Sequence, residues 1–466
     1  MSDPITCCET EQEPDAYRAR PEVRIRMYRV GVGDCFLLSY AKQCGGTFHM
    51  LIDCGVHQST KGGSDRIRQV VDNIKEETGG KFDVVVGTHE HWDHISGFRQ
   101  AEETFATCTA EEIWFAWTED DRDEDAKDLA DRRHLAIAAL TGAQQRMRLN
   151  GLDRDERLLS GLLGFFGDGA GKNLAKAGKA LKAMSSNIKY RQPGEPPIEL
   201  PGVCARVFVL GPPRDKTLMK KDSPSKRDSE VYEFGAYGNQ LAALAPALES
   251  GNATPFDQSR SVPLEASRGI GFFDRHYWSD RSAEAPQGDR EDTTQGWRRL
   301  GADWLTAATT LALHLDEDTN NTSLVMAIEL GPPDEDGPVL LFAADAQVGN
   351  WLSWQDVEWP DYHGRRITGP DLLRRTVVYK VGHHASHNAT LRELGLEQMD
   401  KLALALVTTD DEMAKKVGWG TLPWPALLDR LDEKTGGNVL RTDRKKPAGL
   451  DSFEVVEDEL YYDVFL

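Results

Sequence analysis

The densest concentration of reactive side chains lies in Thr88-His89-Glu90-His91-Trp92-Asp93-His94-Ile95-Ser96-Gly97. Three histidines and two carboxylates fall within six residues there, directly after the apolar run 82–87. A cluster of this kind has no role in core packing. In extended backbone, residues two apart project to the same side, so His89 and His91 can grip one metal ion. If the chain turns into a helix near Asp93, then Asp93 and His94 face a second ion beside the first. Imidazole mixed with carboxylate suits zinc first, then manganese or iron.

Two later clusters fit the same site. Leu340-Leu341-Phe342-Ala343-Ala344-Asp345 is an apolar strand ending in a carboxylate, the place for a ligand that bridges two metals. Val377-Val378-Tyr379-Lys380-Val381-Gly382-His383-His384-Ala385-Ser386 is another strand, delivering imidazole at its C-terminal end. The chemistry such a site supports is hydrolysis by a metal-activated water. Asp93 and Asp345 are ligands that can also take a proton. No Gly-x-Ser-x-Gly elbow and no P-loop competes with this reading.

The elements that position these residues read as mixed α and β. Alternating strands are expected at 23–30 and 35–40, with a turn between them, and a third strand at 49–54 is stopped by Gly55. A helix is expected over 64–77 and a long, mostly helical stretch over roughly 99–187. Within that stretch, 119–131 carries eight acids against Arg122 and Lys127, a solvated face or loop. A strand follows at 205–210, ending in Gly211-Pro212-Pro213. Residues 214–300 are the least regular. Strands return at 323–330, 338–344, 376–381 and 401–408, and a last pair lies within 452–466. Residues 1–20 read as a loose tail without a signal peptide. The rest reads as one domain, 21–466, with insertions at about 99–200 and 214–310.

Composition narrows the class. The 466 residues carry 76 acidic and 55 basic side chains, a formal net charge of −21. That balance opposes polyanion binding over the whole surface but leaves room for a local basic groove. Basic side chains gather at 214–227 and 441–446. With 39% hydrophobic and 28% charged residues, the chain is an ordinary globular protein rather than a disordered or disulfide-scaffold one. No apolar run approaches the ~18 residues of a membrane helix. Seven cysteines show no Cys-x-x-Cys spacing, and Cys35, Cys54 and Cys204 lie in apolar runs. Reduced thiols and a cytoplasmic location are expected.

The chain resembles the metallo-β-lactamase-fold hydrolases, and among them the soluble hydrolase domain of bacterial competence (DNA-uptake channel) proteins. The matching elements are Val30-Gly31-Val32-Gly33-Asp34, Leu51-Ile52-Asp53-Cys54-Gly55, the His89–His94 motif, Asn321-Thr322-Ser323-Leu324-Val325, Ala344-Asp345 and Lys380-Val381-Gly382-His383-His384-Ala385-Ser386. The resemblance implies a four-layer αββα sandwich with one or two zinc ions, or manganese, at one edge of its sheets. It implies metal ligands His89, His91, Asp93, His94, Asp345 and His383, with Asp53 orienting a ligand histidine and Gly33 and Asp34 structural. Asp93 and Asp345, with His384, are the candidate catalytic residues; His384 either hydrogen-bonds substrate or faces solvent. The implied substrate is a phosphodiester, in nucleic acid or a nucleotide. The alternatives are a small ester, lactone or thioester, or a metal-binding module whose insertions engage a protein partner. No membrane partner is expected.

One departure stands out. Many relatives carry a further histidine ligand before the bridging aspartate, where this chain has Gly211. His134, His276 and His314 are the candidates to replace it. On this reading Gly211→Ala leaves metal occupancy nearly unchanged, and Gly211→His adds a ligand if the backbone tolerates a side chain.

Overall fold

The computed structural model describes residues 22–149, 152–167, 171–221, 264–267, 269–273, 307–417, 419, 421–448, 450 and 453–466. Runs of β-branched and aromatic residues become strands, as their fit to a pleated, half-buried surface requires. In chain order the first six are β1 (Val23–Tyr28), β2 (Cys35–Ala41), β3 (Thr47–Cys54), β4 (Lys81–Gly87), β5 (Thr109–Ala116) and β6 (Ile188–Arg191). They are followed by β7 (Ile198–Glu199), β8 (Ala205–Gly211), β9 (Val325–Leu330) and β10 (Val339–Phe342). A short hairpin pairs β11 (Glu358–Tyr362) with β12 (Arg365–Thr368). The remaining strands are β13 (Thr376–Lys380), β14 (Leu404–Val407), β15 (Val439–Arg441), β16 (Glu454–Glu457) and β17 (Tyr461–Phe465).

Two large sheets result. One has eight strands in the order β16-β17-β1-β2-β3-β4-β5-β6, the other seven in the order β15-β14-β13-β10-β9-β8-β7. In each, one half is antiparallel and the other parallel: β3 to β6 run parallel in the first sheet, β10 and β13 to β15 in the second. The two inner faces share one apolar core, in which Phe36, Leu38 and Met50 join Val207, Met326 and Leu340. The Phe36 and Phe342 rings close the gap edge-to-face at 5.5 Å.

Helices cover the outer faces. Helix Gly63–Thr78 buries Ile67, Val70, Val71 and Ile74, the stripe that a 3.6-residue period places on one side. Beyond the second sheet a separate core gathers Trp351, Trp354, Leu372, Leu373 and Leu431 with Phe208 and Tyr379 of the strands. The layering is the αββα sandwich expected.

The stretch 99–187 is not uniformly helical. Its segment Thr109–Ala116 is a strand of the first sheet, because Ile113, Trp114 and Phe115 pair with β4 and are buried. A strand burying both faces shows no clean alternation, so periodicity does not pick it out. The hairpin of β11 and β12 and the three-residue β15 were likewise not expected.

The chain divides into two compact units. The sheets and their covering helices belong to the first. The second comprises 135–160 and 230–314, and its described residues are helical where they are regular. In it Gln144 and Arg148 both reach Glu156, at 3.1 and 2.7 Å. Among the described residues no helix is long and apolar enough to cross a membrane. Among the described residues Cys35, Cys54, Cys108 and Cys204 are buried and Cys44 is exposed.

Candidate metal centre

The ends of several strands converge at one edge of the two sheets. β3 ends at Asp53-Cys54, and β4 delivers Thr88 to His91 just before helix Trp92–Gln100 begins. Beyond β10 and β13 follow Ala344-Asp345 and Gly382 to Ala385. The backbone is strained here. Asp53, Ala344, His383, His384 and Ala385 all have positive φ, between 41° and 62°, although none is glycine. Strain of this kind costs ~1–3 kcal/mol per residue and concentrates at functional sites. Gly55 permits a close crossing, since a Cβ there would lie 2.2 Å from the Asp93 carbonyl carbon.

Four of these side chains meet. Asp93, His94, Asp345 and His384 each offer a ligand atom, all four within 4.8 Å of one another, and none is more than 2% exposed. His384 Nε2 lies 2.9 Å from Asp93 Oδ2 and 3.4 Å from Asp345 Oδ2. His94 Nε2 lies 3.1 Å from Asp345 Oδ2 and 3.8 Å from Asp93 Oδ2. A tetrahedral ion with ligands at ~2.1 Å has ligand–ligand edges of roughly 3.4 Å, so these spacings suit one divalent cation.

Both imidazoles are fixed from behind. His94 Nδ1 donates to Asp53 Oδ2 at 2.8 Å, and Asp53 in turn accepts from the Thr88 amide and hydroxyl at 2.8 and 2.7 Å. His384 Nδ1 donates to the Thr408 carbonyl at 2.8 Å. Each Nε2 is therefore left to face the carboxylates, the arrangement that carboxylate- and carbonyl-backed metal histidines adopt. His94 Nε2, Asp93 Oδ1 and Asp345 Oδ2 are buried without hydrogen-bond partners.

The carboxylates and imidazoles of the cluster hold one another charged. Burial alone would lower the pKa of His94 and His384, but the Asp345 and Asp93 carboxylates outweigh it and raise both. Burial alone would raise the Asp93 and Asp345 carboxyls, and the same imidazoles hold them below the usual carboxylate range. Lys380 adds a third positive charge. Its ammonium, 1% exposed, pairs with Asp34, donates to the Ala344 carbonyl at 2.9 Å and lies 3.4 Å from Asp345 Oδ1.

The two adjacent histidines exchange the places expected of them. His383 was expected on the metal, with His384 toward substrate or solvent. Instead the positive φ at both residues turns His384 inward, into the four-residue cluster. His383 is held outside it, with Nε2 3.1 Å from Asn320 Nδ2 and Nδ1 2.8 Å from Ser386 Oγ.

His89 and His91 lie beside the cluster. His89 Nε2 and His91 Nδ1 approach to 3.1 Å, while His89 Nδ1 faces Thr88 Oγ1 at 3.1 Å and Ser323 Oγ at 3.3 Å. Ser323 Oγ also accepts the Asp345 amide at 3.2 Å, and Asn321 Oδ1 accepts the Gln347 amide at 3.1 Å. The Asn-x-Ser element thus braces both His89 and the Asp345 loop. Among the described residues, no group of three potential ligands forms around His89 and His91.

Gly211 cannot carry a replacement ligand. A Cβ there would lie 2.0 Å from Asn350 Oδ1, which accepts from Trp354 Nε1 at 2.9 Å. The condition set for Gly211→His, that the backbone there tolerate a side chain, is therefore not met. Gly211→Ala should lower stability by ~1–3 kcal/mol, the cost of overpacking, read as a shift in urea midpoint. His134 is exposed and His314 half-buried, neither in a ligand group, and His276 lies outside the described residues.

Glu90, between the two histidines, points away from the cluster. It pairs with Arg133 at 2.5 Å, and the buried Glu119 lies 3.7 Å from the same guanidinium. Burial, then the charge of Glu90, pushes the Glu119 carboxyl up to about 8. An acid raised above its unfolded value stabilises the fold while protonated. That contribution is full below its ordinary range and is lost as pH rises through about 8. Glu119→Gln should therefore raise the melting temperature at pH 8–9 and leave it nearly unchanged at pH 5, as differential scanning fluorimetry would show.

Several side chains of the basic stretches are ion-paired among the described residues. Arg214 pairs with Asp123 and Lys216 with Asp125, both at 2.6 Å, so the acidic segment neutralises them. Arg441 pairs with Asp443 at 2.7 Å and Arg444 with Asp411 at 2.5 Å. Lys226 and Arg227 lie outside the described residues. Trp114, Trp117, Trp351 and Trp354 are core residues. Lys380 enters the sequence reading only as part of the Lys-x-Gly-His-His-x-Ser motif, with no role of its own, and Asp316, in Asp316-Glu317-Asp318, carries no signal in the sequence.

An αββα sandwich with a buried Asp/His cluster at one sheet edge defines a class of protein that fits metal-dependent hydrolysis. Residues 28–164 match the family model of the metallo-beta-lactamase superfamily, covering β2 to β5 and the His89–His94 motif. No curated protein matches the chain.

Proposed function

We propose that this protein is a metal-dependent hydrolase acting on phosphodiesters. The observation that carries the reading is the buried group Asp93, His94, Asp345 and His384, with His94 Nε2 and Asp345 Oδ2 left without hydrogen bonds. A zinc or manganese ion held there supplies a water nucleophile at neutral pH and polarises the bond under attack. The protein's own residues do the rest. Asp53 and the Thr408 carbonyl fix the two imidazoles, and His384, His94 and then Lys380 hold Asp345 ionised against its burial. Asp93 Oδ1, unpartnered, is placed to take a proton. The Asn-x-Ser and Lys-x-Gly-His-His-x-Ser motifs support phosphodiester chemistry. The paired arginines at 214, 441 and 444 favour a short substrate such as a nucleotide over long nucleic acid.

The test is turnover by metal-loaded protein of bis-p-nitrophenyl phosphate, cyclic dinucleotides and single-stranded DNA, beside p-nitrophenyl acetate and a lactone. Cleavage of phosphodiesters with weak salt dependence is expected. Steep loss with salt would instead indicate a polyanionic substrate, because phosphate neutralisation releases counterions. Turnover of the esters alone would assign the small-ester activity. If metal-loaded protein turned over none of these, the reading would be a metal-binding module.

A further inference from the structure

Among the described residues, the pair His89 and His91 has no third ligand grouped with it, yet the structure sets a carboxylate beside it. Asp316 comes from the last turns of helix Ala307–Asn320 and is 6% exposed. Its Oδ2 accepts from Asn320 Nδ2 at 3.2 Å, one helical turn on. Its Oδ1 is buried without a hydrogen bond and lies 3.7 Å from His91 Nε2, which is also buried and unpartnered. The other nitrogen of that ring, Nδ1, is the one that meets His89 Nε2 at 3.1 Å.

These facts divide the ring's two nitrogens between two tasks. An imidazole that gives one nitrogen to a metal donates from the other, and a carboxylate is the strongest acceptor for that proton. We infer that Asp316 is the positioning residue for His91: its carboxylate accepts the Nε2 proton and commits Nδ1 to a divalent ion shared with His89. Asp316 thus takes up, through His91, part of the task left by the missing histidine at 211. A buried carboxylate is otherwise costly. Here it acquires a partner when the second cation enters and His91 takes the Nε2–H form. The inference rests on the metal-dependent reading above and extends it to a second, weaker cation position.

The experiment is calorimetric titration of the metal-stripped full chain with Co2+, for the native protein, Asp316→Ala and Asp316→Asn. The native protein should bind two equivalents of unequal affinity. Asp316→Ala should weaken the second by ~10–100-fold, the usual effect of losing a supporting hydrogen bond, and leave the first unchanged. Asp316→Asn should retain most of the affinity, because the amide oxygen accepts the same proton. Should Asp316→Ala fail to fold, histidine-15N NMR of the native zinc-loaded protein decides the matter: His91 Nε2 should be protonated and Nδ1 not. An unprotonated Nε2, a single equivalent in the native protein, or an unchanged second equivalent in Asp316→Ala would overturn the inference and leave the first position standing. Failure of the native protein to bind any Co2+ would overturn the metal reading as well.

Discussion

His384→Ala and His94→Ala should each abolish tight metal binding, whereas His383→Ala should leave the metal content of the purified protein unchanged. The contrast follows from geometry. His384 and His94 each place Nε2 within 4.8 Å of Asp93 and Asp345, while both ring nitrogens of His383 face side chains of Asn320, Gln347 and Ser386. Asp53→Ala should give an intermediate result. It removes the acceptor that orients His94, and such losses weaken affinity by ~10–100-fold rather than abolishing it. Elemental analysis by plasma mass spectrometry checks all four proteins. Native protein without zinc or manganese, even after reconstitution, would remove the basis of the functional reading. Metal entry must also displace protons, since His94 and His384 are held charged by the carboxylates around them. Affinity should therefore rise with pH until both imidazoles deprotonate.

The second large effect is expected at Lys380. Lys380→Met removes a buried ammonium and leaves Asp34 and Asp345 facing each other's charge in a site that excludes water. Breaking a buried ion pair from one side costs ~3–5 kcal/mol, because the remaining charge stays buried and uncompensated. Metal-stripped Lys380→Met should show that loss as a lowered urea midpoint. Saturating zinc should recover part of it, since a divalent ion beside Asp345 restores positive charge there. Asp34→Asn in the same chain should recover part of it without metal. Equal destabilisation of metal-stripped Lys380→Met, zinc-saturated Lys380→Met and the double variant would mean that Lys380 acts through packing of its stem alone. Asp34 also accepts from Thr408 Oγ1 at 2.6 Å, and its amide donates to the Asp93 carbonyl at 3.0 Å. The lysine thus ties the turn after β1 to the loops that carry His384 and Asp93.

Much of this site is written locally in the chain. Three histidines and an aspartate packed after an apolar run admit few readings besides metal chemistry, and strand-then-helix places them at a sheet edge. Asp345 and the His383-His384 pair are legible for the same reason: each ends a buried strand, where side chains must leave the core. The sandwich is legible from two groups of apolar strands separated by helical sequence. β5 is the clearest loss, because its second half, Ile113 to Ala116, is buried on both faces and has no alternation to read.

What the chain does not announce are the choices made by contacts distant in sequence. Whether His383 or His384 turns inward depends on a left-handed backbone held by the loops around it, not on either residue's type. Gly211 reads as a vacant ligand position until Asn350, 139 residues on, fills the space beside it. Asp316 and Lys380 are an acid in an acidic run and a lysine in a strand. Only the tertiary structure sets one against His91 Nε2 and the other between Asp34 and Asp345. Residue type and short-range spacing determine which chemistry is available. Which atoms meet depends on long-range packing, because a buried polar atom is satisfied by whatever the fold brings within ~3 Å of it.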